Sequence, residues 1–263
     1  MRNLLHANFH RVWKSRIFWG CMALMLLYGL RLVYSLQEAL QEGWTQDHPA
    51  FLFFTQVWFL LAAWYSSFLS GEYGDGAVRN KLAVGAVRPA IYFADLVTCI
   101  AVGLMLCAAF ILPNWTLTSF FFGHSDAVNY ICSPGQTAVD LLAGALVIVS
   151  YSAIFSAVGM NIQHRAAGPV AVILTACVLY LNGLVCDMEL ALYCQAPEPL
   201  KYSRLRLAYD RFFAEWLPGG QGRYYVLHAG SSGKAPVLAA YSLIVIAAST
   251  AAGLFLFRRK DLK

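Results

Sequence analysis

The sequence predicts an all-α integral membrane protein. Its six-helix transmembrane bundle follows an N-terminal amphipathic interfacial helix, carries one short cytoplasmic helix between the second and third spans, and has a long, partly helical outer loop before the last span. Three observations predict it. Of 263 residues, 59% are hydrophobic and 13% charged, about half the charged share of ordinary soluble domains. The apolar residues come in blocks close to twenty long, the length that a bilayer core demands of a helix. Lys and Arg collect at the ends of those blocks and on no nucleic-acid-binding motif, so the net charge of +5 is a topology signal and no nucleic-acid partner is expected.

The first element is residues 1–16. Leu5, Phe9, Val12, Trp13 and Ile17 recur at helical spacing, with Asn3, His10, Arg11 and Lys14 on the other side, which describes a helix lying on the inner leaflet in contact with membrane lipid. No small-residue cleavage site precedes the first apolar block, so the first helix is expected to insert and stay. Residues 17–263 then form the transmembrane domain, with spans at roughly Ile17 to Leu36, Phe51 to Ser70, Ala90 to Leu112, Thr137 to Gly159, Pro169 to Cys186 and Pro236 to Phe257. An even number puts both termini on one side. The segments on that side hold four, three, one and four Lys or Arg, whereas the loops at 37–50 and 113–136 hold none. The positive-inside rule therefore places both termini in the cytoplasm of a multi-pass cell-membrane protein. Arg31 is the one basic residue within a span, near its outer end, where snorkelling accommodates it.

The outer loop at 187–235 is too long for a plain connection. Pro197 and Pro199 precede, and Pro218-Gly219-Gly220 follow, a stretch in which Tyr202, Leu205, Tyr209, Phe212, Phe213 and Trp216 alternate with charges. A helix from about Leu200 to Leu217 is predicted there.

The segment 71–89 between the second and third spans carries more information. Gly74, Asp75 and Gly76 favour a turn and a helix start. Residues 77–84 suit a helix with Val78 and Leu82 on one face, Gly85 suits a left-handed stop, and Pro89 fits the start of the next helix. The result is a short bracketed helix presenting Arg79 and Lys81 to the cytoplasm. A basic loop that only fixed orientation would need Arg79, Lys81 and Arg88; it would not need Glu72, Asp75 or the Gly-helix-Gly-Pro bracketing.

Glu72, Gly76-x-x-Arg79-Asn80-Lys81-Leu82, the following Gly85-x-x-Arg88 and the closing Phe255-Leu256-Phe257-Arg258-Arg259-Lys260-Asp261 together resemble the permease subunits of ABC-2 type transporters. The resemblance implies a membrane-spanning subunit of an ATP-driven transporter, an exporter, whose link between the second and third spans is a coupling helix docked on a separate ATP-binding subunit. It implies a second permease copy, identical or related, around a central path. Matched residue by residue, Glu72 stands at the base of the second span, and Arg79, Lys81, Leu82 and Arg88 belong to the ATPase-coupling surface. Arg79 or Arg88 is also a candidate ion partner for Glu72. The N-terminal helix resembles the family's connecting helix, and the outer loop stands where relatives carry short re-entrant helices.

A Walker A loop needs G-x-x-x-x-G-K-[ST], and Gly230-Ser231-Ser232-Gly233-Lys234-Ala235 has the wrong spacing. The chain carries no ATP-binding or catalytic motif, so no cofactor is expected in it and ATP with Mg belongs to the partner subunit. The six histidines are dispersed, which argues against a metal site. Asp95 and Asp140 lie near span ends and read as boundary residues. Cys132, Cys186 and Cys194 share the outer side and are the disulfide candidates, Cys132 with one of the other two. Gln56 is the strongly polar member of the aromatic second span and a candidate to line a path or bond a neighbouring helix. Two readings from other classes stand beside the transporter: a polytopic membrane enzyme acting on lipid or peptide, and a non-transporting sensor or immunity protein that binds ligand through the outer loop.

Overall fold

A computed structural model of the chain describes residues 2–41, 52–122, 134–162, 166–195, 204–228 and 234–259. Among them there is no strand. The helices are α1 (Arg2–Lys14), α2 (Arg16–Gln41), α3 (Phe54–Gly74), α4 (Ala77–Ala83), α5 (Arg88–Phe122), α6 (Pro134–Asn161), α7 (Ala167–Gln195), α8 (Arg204–Arg211), α9 (Pro218–His228) and α10 (Ala235–Arg259), with a π-helical turn at Phe212–Trp216 between α8 and α9.

Five of these, α2, α5, α6, α7 and α10, are long and apolar enough to cross a membrane. The expected second span, α3, is not among them by hydropathy, because Thr55, Gln56, Ser66, Ser67 and Ser70 interrupt its apolar residues. It is the enclosed helix, packing against α2, α5, α6, α7 and α9. Leu61, Trp64, Tyr65 and Leu69 are buried to within 1%. A helix walled by other helices can carry hydroxyls and indoles that a lipid-facing helix could not.

Two boundaries move outward most. α5 continues through Pro113 to Phe122 where the sequence put its end at Leu112; the Thr116 hydroxyl donates to the Leu112 and Pro113 carbonyls in the turn that follows the proline. α7 continues past Cys186 to Gln195. In the last span Gly253 serves packing within the bundle. A Cβ at Gly253 would sit 2.4 Å from the Tyr92 hydroxyl and 2.8 Å from Ala157 Cα, so α10 lies close against α5 and α6.

The helix expected before Leu217 is present as α8 and the π turn. These run down alongside α7, and α9 returns. Arg206 pairs with Glu189, Tyr209 donates to Asn182 Oδ1 at 3.1 Å, and Gly219 lies so near α7 that a Cβ there would stand 2.1 Å from the Leu179 carbonyl oxygen. On the way back Arg223 meets Asp187 at 3.2 Å. The turn-around strands backbone carbonyls, and buried Gln221 collects them: its Nε2 donates to Glu215 O at 2.7 Å, Trp216 O at 3.4 Å and Leu238 O at 3.2 Å, while its Oε1 accepts from the Ser242 hydroxyl at 2.6 Å. A chain reversal at membrane depth needs such satisfaction.

Candidate functional site: an ion network at the base of the bundle

α4 is a helix of seven residues whose ends are fixed by glycine. Gly76 precedes it at φ 65° and Gly85 follows it at φ 89°, both in the left-handed region that side chains disfavour. At the exit Gly85 N–H donates to Leu82 O at 2.9 Å and Ala86 N–H to Lys81 O at 3.0 Å, the paired bonds of a Schellman stop. Val78 is buried and Leu82 packs against the core, as the sequence spacing predicts.

Beneath this helix four elements converge. α1 brings Asn8 and Arg11, one turn apart and so on one face; α3 brings Glu72 in its last turn; α4 brings Lys81; α5 brings Asp95 and Thr98. The Arg11 guanidinium donates to Glu72 Oε1 and stands 5.0 Å over the Phe68 ring. Lys81 Nζ donates to Glu72 Oε2 at 2.9 Å and to Asn8 Oδ1 at 3.0 Å, and lies 3.6 Å from Asp95 Oδ1. Asn8 Nδ2 donates to Asp95 Oδ1 at 2.7 Å and reaches Thr98 Oγ1 at 3.3 Å; that hydroxyl donates onward to Ala94 O. Asn8, Glu72, Asp95 and Thr98 are fully buried. The Lys81 side chain is 12% exposed, and burial pulls its ammonium below the ordinary lysine range, with Asp95 pulling it back and Arg11 reinforcing the drop.

Two cations and two carboxylates balance, which is the condition on which charges can be held out of water. Each is also bonded to a partner on another element, so the network ties α4 to α1, α3 and α5 at once. Gly71 makes the room for it: a Cβ there would come within 2.8 Å of Arg11 Nη2. Alongside, Tyr73 OH donates to Met160 O at 2.8 Å and fastens the end of α3 to α6.

Lys81 therefore corrects the expectation that it faces the cytoplasm beside Arg79; it points inward because it shares the Val78 face of α4. Arg11 likewise turns toward the bundle, not to the polar side of α1. Glu72 takes Arg11 and Lys81 as partners in place of Arg79 or Arg88. Arg79 is exposed, Leu82 is half-buried, and Arg88 donates to the Arg258 carbonyl at 3.0 Å, which brings the link and the basic end of α10 together. Gln56 lies exposed on the first turn of α3, one turn from half-exposed Phe59, on the outside of the bundle. Cys186 is a free, buried thiol, which removes it from the disulfide candidates. Cys132 and the Cys194 side chain lie outside the described residues.

Asn8 and Thr98 were not singled out from sequence, and Asp95, read there as a boundary residue, is instead a fully buried member of the network because α1 and α4 cover that end of α5. The readable signal was Asn8, a polar residue on the stripe that carries Leu4, Leu5 and Val12, and Asp95, inside the apolar block that begins at Ala90.

The surface of α4 turned away from the network carries Arg79, Asn80 and Ala83, and ends in Val84 and Val87, which are 89% and 64% exposed. No group of three or more His, Cys, Asp or Glu that could hold a metal ion occurs among the described residues. No protein-family model, curated protein or solved structure matches the chain.

Proposed function

We propose that the chain is the membrane-spanning permease subunit of an ATP-driven ABC-2 type transporter, an exporter, and that α4 is its coupling helix. The observation that carries this reading is the bracketed α4 with its two unlike faces: an inner face riveted to three other helices by the Glu72–Lys81 network, and an exposed outer face with Arg79, Asn80 and Ala83 that is followed, at the helix end and just past it, by exposed Val84 and Val87. Exposed apolar side chains next to a cation suit a protein partner. A force on α4 would reach α3 and α5 directly through the short turns that flank it, and α1 through Asn8 and Arg11.

In this reading α3 is the sixth span, walled by α2, α5, α6 and α7, and both termini are cytoplasmic in the cell membrane. Two copies, identical or related, flank a central path. ATP and Mg sit in the separate subunit that docks on α4, and its closure shifts the helices between inward-open and outward-open states.

The test is co-purification with the ATP-binding subunit of the same operon. The wild-type pair is expected to co-elute and to hydrolyse ATP faster than the ATP-binding subunit alone. Arg79→Glu with Val84→Asp, both on exposed positions, is expected to abolish co-elution while leaving the permease folded. Undiminished association of that variant would refute the docking assignment.

A further inference from the structure

The outer hairpin presents a second surface, on the side of α8 away from α7. α8 turns Asp210 inward, where it is 4% exposed, and fixes Arg206 to Glu189 by two guanidinium bonds. Its outward face carries Leu205 at 83% exposure and Phe212 at 46%, with Ala208 between them, and half-exposed Tyr209 stands at the border of that face, its ring partly open and its hydroxyl turned to Asn182 of α7. Arg204 and Arg211, seven residues apart and therefore on nearly one line of the helix, are exposed along one edge of that apolar face. The opposite edge belongs to Arg206.

The depth of this face is set by what α8 touches. Arg206 meets α7 at Glu189, in the stretch that also holds Asp187, the Arg223 partner; Tyr209 meets α7 at Asn182, seven residues further into a candidate span that runs Ala167–Tyr193. α8 thus enters beside the polar end of α7 and descends by about 10 Å of helix rise. Tyr209 and Phe212 come to the level of acyl chains, Leu205 lies just beneath the headgroups, and Arg204 at the N-terminal end of α8 stays at their level. Helical side chains lean toward their helix's N-terminus, so Arg211, although lower on the helix than Arg204, extends back toward the same headgroup plane. Among the described residues of α8 itself, the outward face carries no acidic side chain to compete with an anion.

We infer that α8 is a lipid-binding element: Leu205, Tyr209 and Phe212 insert among acyl chains, and Arg204 and Arg211 bind the phosphates of anionic phospholipids in the leaflet opposite α1. The occupant is membrane lipid because the three ingredients coincide: an apolar wedge, arginines along its edge, and the depth at which headgroup phosphates lie. The inference needs only a membrane-spanning bundle and stands apart from the transporter assignment.

The full chain is purified in detergent, and retention of phosphatidylglycerol and of phosphatidylcholine is measured by native mass spectrometry at low salt. Each arginine near an anionic surface contributes roughly fivefold to lipid affinity, so Arg204→Gln with Arg211→Gln is expected to weaken phosphatidylglycerol binding about twenty-five-fold. Phosphatidylcholine binding should change little, and Arg204→Lys with Arg211→Lys should restore most of the loss. Inorganic phosphate should not displace the lipid. A nitroxide placed at position 205 (Leu205→Cys), in vesicles of the same lipids and with the parent chain as blank, should collide with oxygen more than with a water-soluble nickel chelate. Unchanged phosphatidylglycerol retention by the glutamine pair, or displacement by phosphate alone, would overturn the proposal. So would a nickel-accessible label, which would put the face in water, or a label shielded from both reagents, which would put a protein on it.

Discussion

Lys81 and Arg79 are two residues apart on one short helix and face opposite ways, one into a buried network and the other into the open. The difference follows from helical spacing: Lys81 lies three residues after buried Val78, and Arg79 lies on the far side. That was legible in the sequence in principle, but charge type misled the reading, since a lysine in a basic link is ordinarily a solvated topology signal. Glu72 stood out in the sequence, but its meeting with Asp95 around Lys81 could not be read, because the two carboxylates come together only once α3 and α5 stand side by side. Removing one member should expose the cost of the others. Lys81→Met leaves Glu72 and Asp95 as two carboxylates against Arg11 alone, and is expected to cost about 3–5 kcal/mol, the usual penalty for breaking a buried pair. Adding Asp95→Asn restores neutrality and should recover a large part of that loss. Thermal unfolding in detergent measures both, and additive effects of the two changes would show that Lys81 and Asp95 do not interact.

At the scale of elements, the sequence rules succeeded where the chain is bracketed locally and fell short where tertiary contacts decide. Gly76 and Gly85 marked the two ends of α4 because left-handed backbone is a local demand. The outer loop showed its Pro-Gly-Gly break, but no local rule says that a loop helix descends beside α7. The descent rests on Gly183, Gly219 and Gly220, where a Cβ would collide with backbone, and on Gln221, whose amide gathers three carbonyls. Gly219→Ala is expected to destabilise by about 1–3 kcal/mol through overpacking against Leu179. Gln221→Leu should cost about as much by leaving buried carbonyls without a donor. Equal stability of both variants with the parent, measured as unfolding midpoints, would contradict the hairpin as described. α3 was expected as a span from its length and position; its low hydropathy leaves it out of the five helices apolar enough to cross a membrane, and its burial shows it enclosed.

The whole molecule joins two ends that sequence separates widely. Arg11, Glu72, Lys81 and Asp95 close one end, and Arg88 adds the end of α10 through the Arg258 carbonyl. In the proposed transporter this end is where ATP-driven movement enters the bundle, so stiffness there should matter more for coupling than for docking. Gly85→Ala tests the frame: the left-handed φ of 89° penalises a side chain by about 1 kcal/mol, and the expected result is a tilted α4 with reduced ATPase stimulation but retained partner binding. Unaltered stimulation would separate the α4 stop from coupling.

The central claim is that the buried network transmits motion from α4 to the membrane helices. Its most direct test is ATP hydrolysis by the reconstituted complex carrying Glu72→Gln with Lys81→Met. This pair removes one charge of each sign, leaves Arg11 and Asp95 balanced, and does not touch the exposed surface of α4. The account predicts that the variant binds the ATP-binding subunit as the parent does and no longer stimulates its ATP hydrolysis. Parental stimulation in a complex of parental stoichiometry would contradict it.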